Sequence, residues 1–186
     1  MCKLKSAIIL KDRVFIPDHN SHTDMLKELG IEDSRKNAET LFVRAELSPK
    51  NGDVFSDVDT WEFNVDQDIR PEWFVEPYEK GRMVKAVKEW ADKHILISQK
   101  NEKISDGTYY LKDCIDITFC DNSTVEAYDN STVRACGNST AIIPDWSSNK
   151  RDNIVLIQNS TLKDCKTKTI YQSGDWQFVK VEETKD

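Results

Sequence analysis

The chain has 186 residues and a formal net charge of −7, with 38% hydrophobic and 32% charged residues. That balance suits one or two globular domains and excludes a disordered chain. No run approaches the roughly 18 apolar residues of a membrane span, and residues 1–6 (MCKLKS) lead into no signal-peptide core, so a cytoplasmic protein with no membrane contact is expected. The acidic balance argues against a general DNA-coating role, which needs a basic surface to release counterions.

Five cysteines, Cys2, Cys114, Cys120, Cys136 and Cys165, are odd in number and form no CxxC pair. Free, mostly buried thiols in a reducing compartment are the expectation.

In chain order, 7–16 (AIILKDRVFI) is apolar and β-rich and ends at Pro17. Ser21 is an N-cap for a short helix from His22 to Leu29, stopped by Gly30. Residues 40–47 (TLFVRAEL) alternate as a half-buried strand with Leu41, Val43 and Ala45 on one face. Pro49, Asn51 and Gly52 make a turn, and 60–65 (TWEFNV) is a further alternating strand. Over 78–95, Met83, Val84, Val87, Trp90 and Ala91 form one helical stripe, with Lys85, Lys88 and Glu89 outside it. This β-α-β-β-α order predicts an α+β domain over residues 1–100, its core knit by Trp61, Trp73 and Trp90. The polar run 98–106 and Gly107 form the expected junction.

The second half is repetitive. Residues 119–126 (FCDNSTVE), 127–134 (AYDNSTVR) and 135–142 (ACGNSTAI) are successive octads, with Asn-Ser-Thr beginning at Asn122, Asn130 and Asn138 and returning at Asn159. Eight residues span about 2.2 helical turns, so the period cannot hold one helical face. It fits a short strand followed by a corner, stacked turn upon turn. Two octads per turn make about 16 residues per coil of a short parallel β-solenoid over 101–186. LKDC occurs at 111–114 and again at 162–165, close to a whole number of coils. The four Asn-Ser-Thr triplets are also formal glycosylation sequons, but without a secretory signal they read as corners of the repeat.

No GxSxG, Walker, HExxH or GxGxxG pattern occurs, and no cofactor or metal is expected. His19, His22 and Asp24 cluster in HNSHTD at a helix start, where polar caps belong. His94 and Cys136 form a formal nucleophile–base pair, but Cys136 occupies a repeat column. Asp66 and Asp68 end a strand as nuclease carboxylates do, without a lysine at a matching spacing. They define a third-ranked reading, a metal-dependent enzyme using Asp66, Asp68 and His19.

Charge segregation is the strongest functional signal. From 53 to 79 there are nine acids and one base, and from 80 to 103 seven bases and three acids. Asp53, Asp57, Asp59, Glu62, Asp66, Asp68, Glu72 and Glu76 form a candidate partner-binding ribbon, interleaved with Trp61, Phe63, Trp73 and Phe74. Lys80, Arg82, Lys85 and Lys88 are candidate phosphate contacts. The alternative is that the two runs neutralise each other on one surface.

Residues 60–90, with DQDIRPEW at 66–73 as their most specific part, and YYLKDC followed by NSTV octads resemble phage and prophage proteins of gut Firmicutes. Those proteins carry variable numbers of octads. Size and acidity are also similar to the type II-A anti-CRISPR group, which shares no fold or catalytic residues from which individual roles transfer. The resemblance implies mobile-element origin and a solenoid tail, with no settled activity. Taken with the size, the acidic ribbon and the lack of a catalytic constellation, it makes the leading expectation a non-enzymatic protein of the bacterial host cytoplasm that binds a host protein or ribonucleoprotein, a CRISPR effector nuclease first, by occupying a nucleic-acid-binding surface. The second-ranked reading is a virion or tail-associated structural protein built on a β-solenoid or a trimeric β-prism.

Overall fold

The computed structural model describes residues 5–173 and 179–180. It has an α+β N-terminal unit and a C-terminal parallel β-solenoid, as expected from the sequence. The compact units are Met1–Lys93 and His94–Asp186. The division precedes the expected boundary at 100 because the solenoid's first strand begins at Ile95.

In the N-terminal unit, β1 (Lys5–Leu10) and β2 (Val14–Phe15) form a hairpin, not the single strand expected over 7–16. The break falls at the polar Lys11-Asp12-Arg13, where Leu10 N–H bonds to Arg13 O at 2.8 Å. Helix α1 (His22–Glu28) is capped by the Ser21 hydroxyl, and a short α2 (Arg35–Ala38) is capped by Ser34. Then follow β3 (Phe42–Ser48), β4 (Glu62–Val65) and α3 (Glu76–His94). The antiparallel sheet has the order β2-β1-β3-β4.

Strand β1 is buried throughout because both sheet faces are covered. Ile8, Leu10 and Phe42 share a cluster with Met25, Leu26 and Ala38 of α1 and α2. On the opposite face, Ala7 pairs with Ala45 and Ile9 with Val43. There α3 is tied to β1 by Arg82, which donates to Leu10 O at 3.1 Å. Leu41 is 47% exposed and the buried row runs Val43, Ala45, Leu47. The strand therefore begins later than its alternation suggested.

The solenoid has two strands per coil. β5 (Ile95–Ile97), β7 (Thr108–Lys112), β9 (Thr124–Tyr128), β11 (Thr140–Ile143) and β13 (Thr161–Asp164) form one parallel ladder. β6 (Lys103–Ser105), β8 (Ile117–Cys120), β10 (Val133–Ala135) and β12 (Ile154–Leu156) form the other. Strand β14 (Thr169–Gln172) returns antiparallel beside β13, and β15 (Val179–Lys180) pairs antiparallel with β14 at the sheet edge. Register confirms the 16-residue coil: Thr108 pairs with Thr124, and Thr124 with Thr140. The next rung, Thr140 to Thr161, is longer because a loop between β11 and β12 bulges from the coil.

Leu111, Ile117, Phe119, Val125, Ala127, Val133, Ala135, Ala141, Ile143 and Leu162 fill the space between the two ladders. The expected junction at 98–106 is instead part of the first coil, since β6 lies within it.

The corners explain the Asn-Ser-Thr triplets. Ser123, Ser131, Ser139 and Ser160 are at most 1% exposed. The Ser139 and Ser160 hydroxyls donate to the carbonyls of Cys136 and Ile157, three residues back, at 2.6 and 2.8 Å, and Ser123 does the same to Cys120. The Ser131 hydroxyl accepts from Cys114 N–H at 3.2 Å. The serine is thus the inward, turn-closing residue.

Cys120 and Cys136 occupy the same position on successive coils, with Cα atoms 4.5 Å apart, and are joined as a disulfide. This corrects the expectation of free thiols throughout. Cys114 and Cys165 are free, and Cys2 lies outside the described residues.

Candidate functional site

The acidic segment runs along the edge of the N-terminal sheet. Asp57 accepts from Asp59 N–H at 3.0 Å and starts a 3-10 turn over Val58–Thr60. Edge strand β4 follows, with alternating exposure that points Glu62 and Asn64 outward. The stretch from 66 to 75 is then fastened to β3 by side chains. The Gln67 amide accepts from Arg44 N–H at 2.9 Å and donates to Phe42 O at 3.3 Å. Trp73 Nε1 donates to Thr40 O at 2.8 Å. The most specific sequence segment, DQDIRPEW, therefore serves to continue the sheet edge.

All eight expected ribbon residues, Asp53, Asp57, Asp59, Glu62, Asp66, Asp68, Glu72 and Glu76, are exposed. Three have cationic or imidazole partners: Asp59 with Lys88 at 2.6 Å, Glu76 with Arg70 at 2.7 Å and Asp66 with His22 at 3.2 Å. The other five, Asp53, Asp57, Glu62, Asp68 and Glu72, form no ion pair among the described residues.

The basic helix is less available than its sequence suggests. Arg82 donates to Leu10 O, Lys11 O and Glu79 Oε2, and Lys88 is held above the ordinary lysine range chiefly by its hydrogen bond to Asp59. The acidic and basic runs therefore meet at Lys88, while Lys80 and Lys85 remain exposed. Trp61 is 3% exposed and buries its ring as expected, its Nε1 donating to Ser56 O at 3.2 Å.

The residues weighed for metal chemistry are regrouped. His19 pairs with Glu28 at 2.7 Å, while His22 stands beside Asp66 together with Glu46 of β3. Asp68 is not in that group. Glu46 carries no signal in the sequence because it lies inside a strand, and its neighbours come from 24 residues before and 20 after. His94 Nδ1 donates to Thr108 O at 2.8 Å, and the ring stacks on Tyr109. Cys136 is engaged in its disulfide.

No described helix is long and apolar enough to cross a membrane. No family model matches this chain, and comparison with the curated proteins and with solved structures finds no significant match.

Proposed function

We propose that this chain is a non-enzymatic, phage-type binding protein acting in the bacterial host cytoplasm. It inhibits a host defence complex, an RNA-guided CRISPR nuclease first, by laying its acidic sheet edge on a basic surface that otherwise holds guide or target backbone. The observation that carries this reading is the set of five exposed carboxylates without ion-pair partners, Asp53, Asp57, Glu62, Asp68 and Glu72, on edge strand β4 and in the chain segments that enter and leave it. Like charges held together on a folded edge attract a basic partner and speed encounter, and salt weakens both effects over a screening length of about 8 Å at physiological ionic strength. The CRISPR identity of the partner rests on the similarity in size and acidity to the type II-A anti-CRISPR group. Lys80 and Lys85 supply a secondary nucleic-acid contact.

The test is a target-cleavage assay with a guide-loaded type II-A nuclease and the full chain as titrant. Inhibition that weakens with salt and disappears in a Glu62→Lys, Asp68→Lys, Glu72→Lys variant is expected. These side chains are exposed, so circular dichroism of the variant should match that of the parent. Equal inhibition by the variant, or none by the parent, removes the proposal.

A further inference from the structure

His22 is the first residue of α1, Glu46 lies within β3 and Asp66 directly follows β4, and their donor atoms all fall within 4.8 Å of one another. We propose that these three side chains form a binding site for a divalent transition-metal ion, with Zn²⁺ as its representative. The site is independent of the nuclease reading above.

The histidine's hydrogen bonds point to a cation. His22 Nε2 lies 3.3 Å from Ala45 O, a carbonyl that only accepts, and the tautomer that satisfies this contact carries its proton on Nε2. Nδ1 then presents a lone pair to Asp66 Oδ2 at 3.2 Å. An ion placed between Nδ1 and Oδ2 would be ligated by both, with the Glu46 carboxylate within reach as the third donor.

A metal ion fits the same geometry. With Zn–N and Zn–O distances of about 2.0–2.2 Å, neighbouring ligand atoms of a tetrahedral site are about 3.3 Å apart, close to the separation of Nδ1 and Oδ2. The carbonyl behind Nε2 supplies the outer hydrogen bond that orients metal-binding histidines. The Glu46 side chain forms no hydrogen bond or ion pair with another described residue, so its carboxylate is available as third ligand. Two carboxylates match the charge of a dication. Three protein ligands leave one position for water or for a group on a partner. The imidazole favours zinc over magnesium, which prefers oxygen alone.

The experiment is calorimetric titration of ZnCl₂ into the full chain, with Co²⁺ as the spectroscopic probe. One equivalent should bind, with affinity falling about tenfold or more in each of His22→Ala, Glu46→Gln and Asp66→Asn. Asp66 is exposed, so Asp66→Asn keeps the test valid even where His22→Ala disturbs α1. The Co²⁺ complex should show ligand-field bands without a thiolate charge-transfer band. Absence of binding, undiminished binding in the three variants, or a thiolate band that assigns the ion to a cysteine would each overturn the site.

Discussion

Gly137 lies directly against the backbone of Asp121: a Cβ on Gly137 would stand 2.9 Å from Asp121 N and 3.2 Å from its Cα. The two residues are one coil apart and share a left-handed conformation, φ 66° and 62°. Gln158, φ 61°, continues this corner, its side-chain oxygen accepting from Gly137 N–H at 2.8 Å. Asp121 shows that the dihedral alone does not demand glycine, since Asp visits this region with local hydrogen bonding. The close approach of the preceding coil does, which is why one octad reads Cys-Gly-Asn where an earlier one reads Cys-Asp-Asn.

Gly137→Ala is therefore expected to cost more than dihedral strain. The left-handed region costs a non-glycine residue about 1–2 kcal/mol, and displacing a backbone neighbour adds about 1 kcal/mol or more. Gly30 is the control: it holds φ 67°, and a Cβ added there would meet nothing within 4 Å, so Gly30→Ala should show the strain alone. Urea unfolding measures both, and equal losses would contradict the stacking account.

Ser139→Ala and Asn138→Ala separate the two readings of the Asn-Ser-Thr triplet. Ser139 is fully buried and closes its turn on Cys136 O; losing that bond should cost about 1–2 kcal/mol. Asn138 is exposed, and its replacement should stay within about 0.5 kcal/mol. The reverse order in chemical unfolding would mean that the asparagine, not the serine, holds the corner.

The solenoid was legible because an octad period is short, local and repeated: the threonine column 108, 124, 140 follows from the 16-residue coil. The echo of LKDC misled for a physical reason. Leu111 pairs with Ala127, whereas Leu162 pairs with Ala141, which lies in the column of Tyr109. The motif's spacing matches neither plain nor extended coils: a polar loop, anchored by Ser147 Oγ on Ala127 O and Asn149 Nδ2 on Ser131 O, lengthens the preceding coil, so that the second copy falls two residues short of register. In the N-terminal unit, helix caps at Ser21 and Ser34 are local chemistry, yet α2 has only four residues and no stripe to reveal it. The His22, Glu46 and Asp66 group was not legible, since only sheet register brings distant residues together.

The cysteine pair follows from the same register. Adjacent strands lie about 4.7–4.9 Å apart, so cysteines 16 residues apart in this repeat face each other, a signal that counting an odd total hides. Peptide mapping with an alkylating reagent under denaturing conditions should label Cys114 and Cys165 without reduction, and Cys120 and Cys136 only after it. Closing a 16-residue separation should contribute about 3 kcal/mol, lost in Cys120→Ser, Cys136→Ser. Labelling of all four sites without reductant would show the pair to be free thiols in the isolated protein.

Lys5 makes the stability of the N-terminal unit depend on pH. It is 1% exposed, donates to Pro17 O and holds its ammonium 4.8 Å over the Trp90 ring. Burial pushes its pKa from 10.5 down to about 8, against the opposing pull of Asp18. Between those values the unfolded chain keeps a proton that the folded chain has released, so the Lys5 contribution to stability rises with pH from about 8 to 10.5. Below that window both states are protonated and the folded state carries the full cost of a buried charge. Lys5→Met should therefore flatten the rise seen in denaturant unfolding between about pH 8 and 10.5, and should stabilise the unit most at the lower pH. A variant that loses stability equally at both pH values would instead show that the contacts to Pro17 and Trp90 outweigh the desolvation of the ammonium.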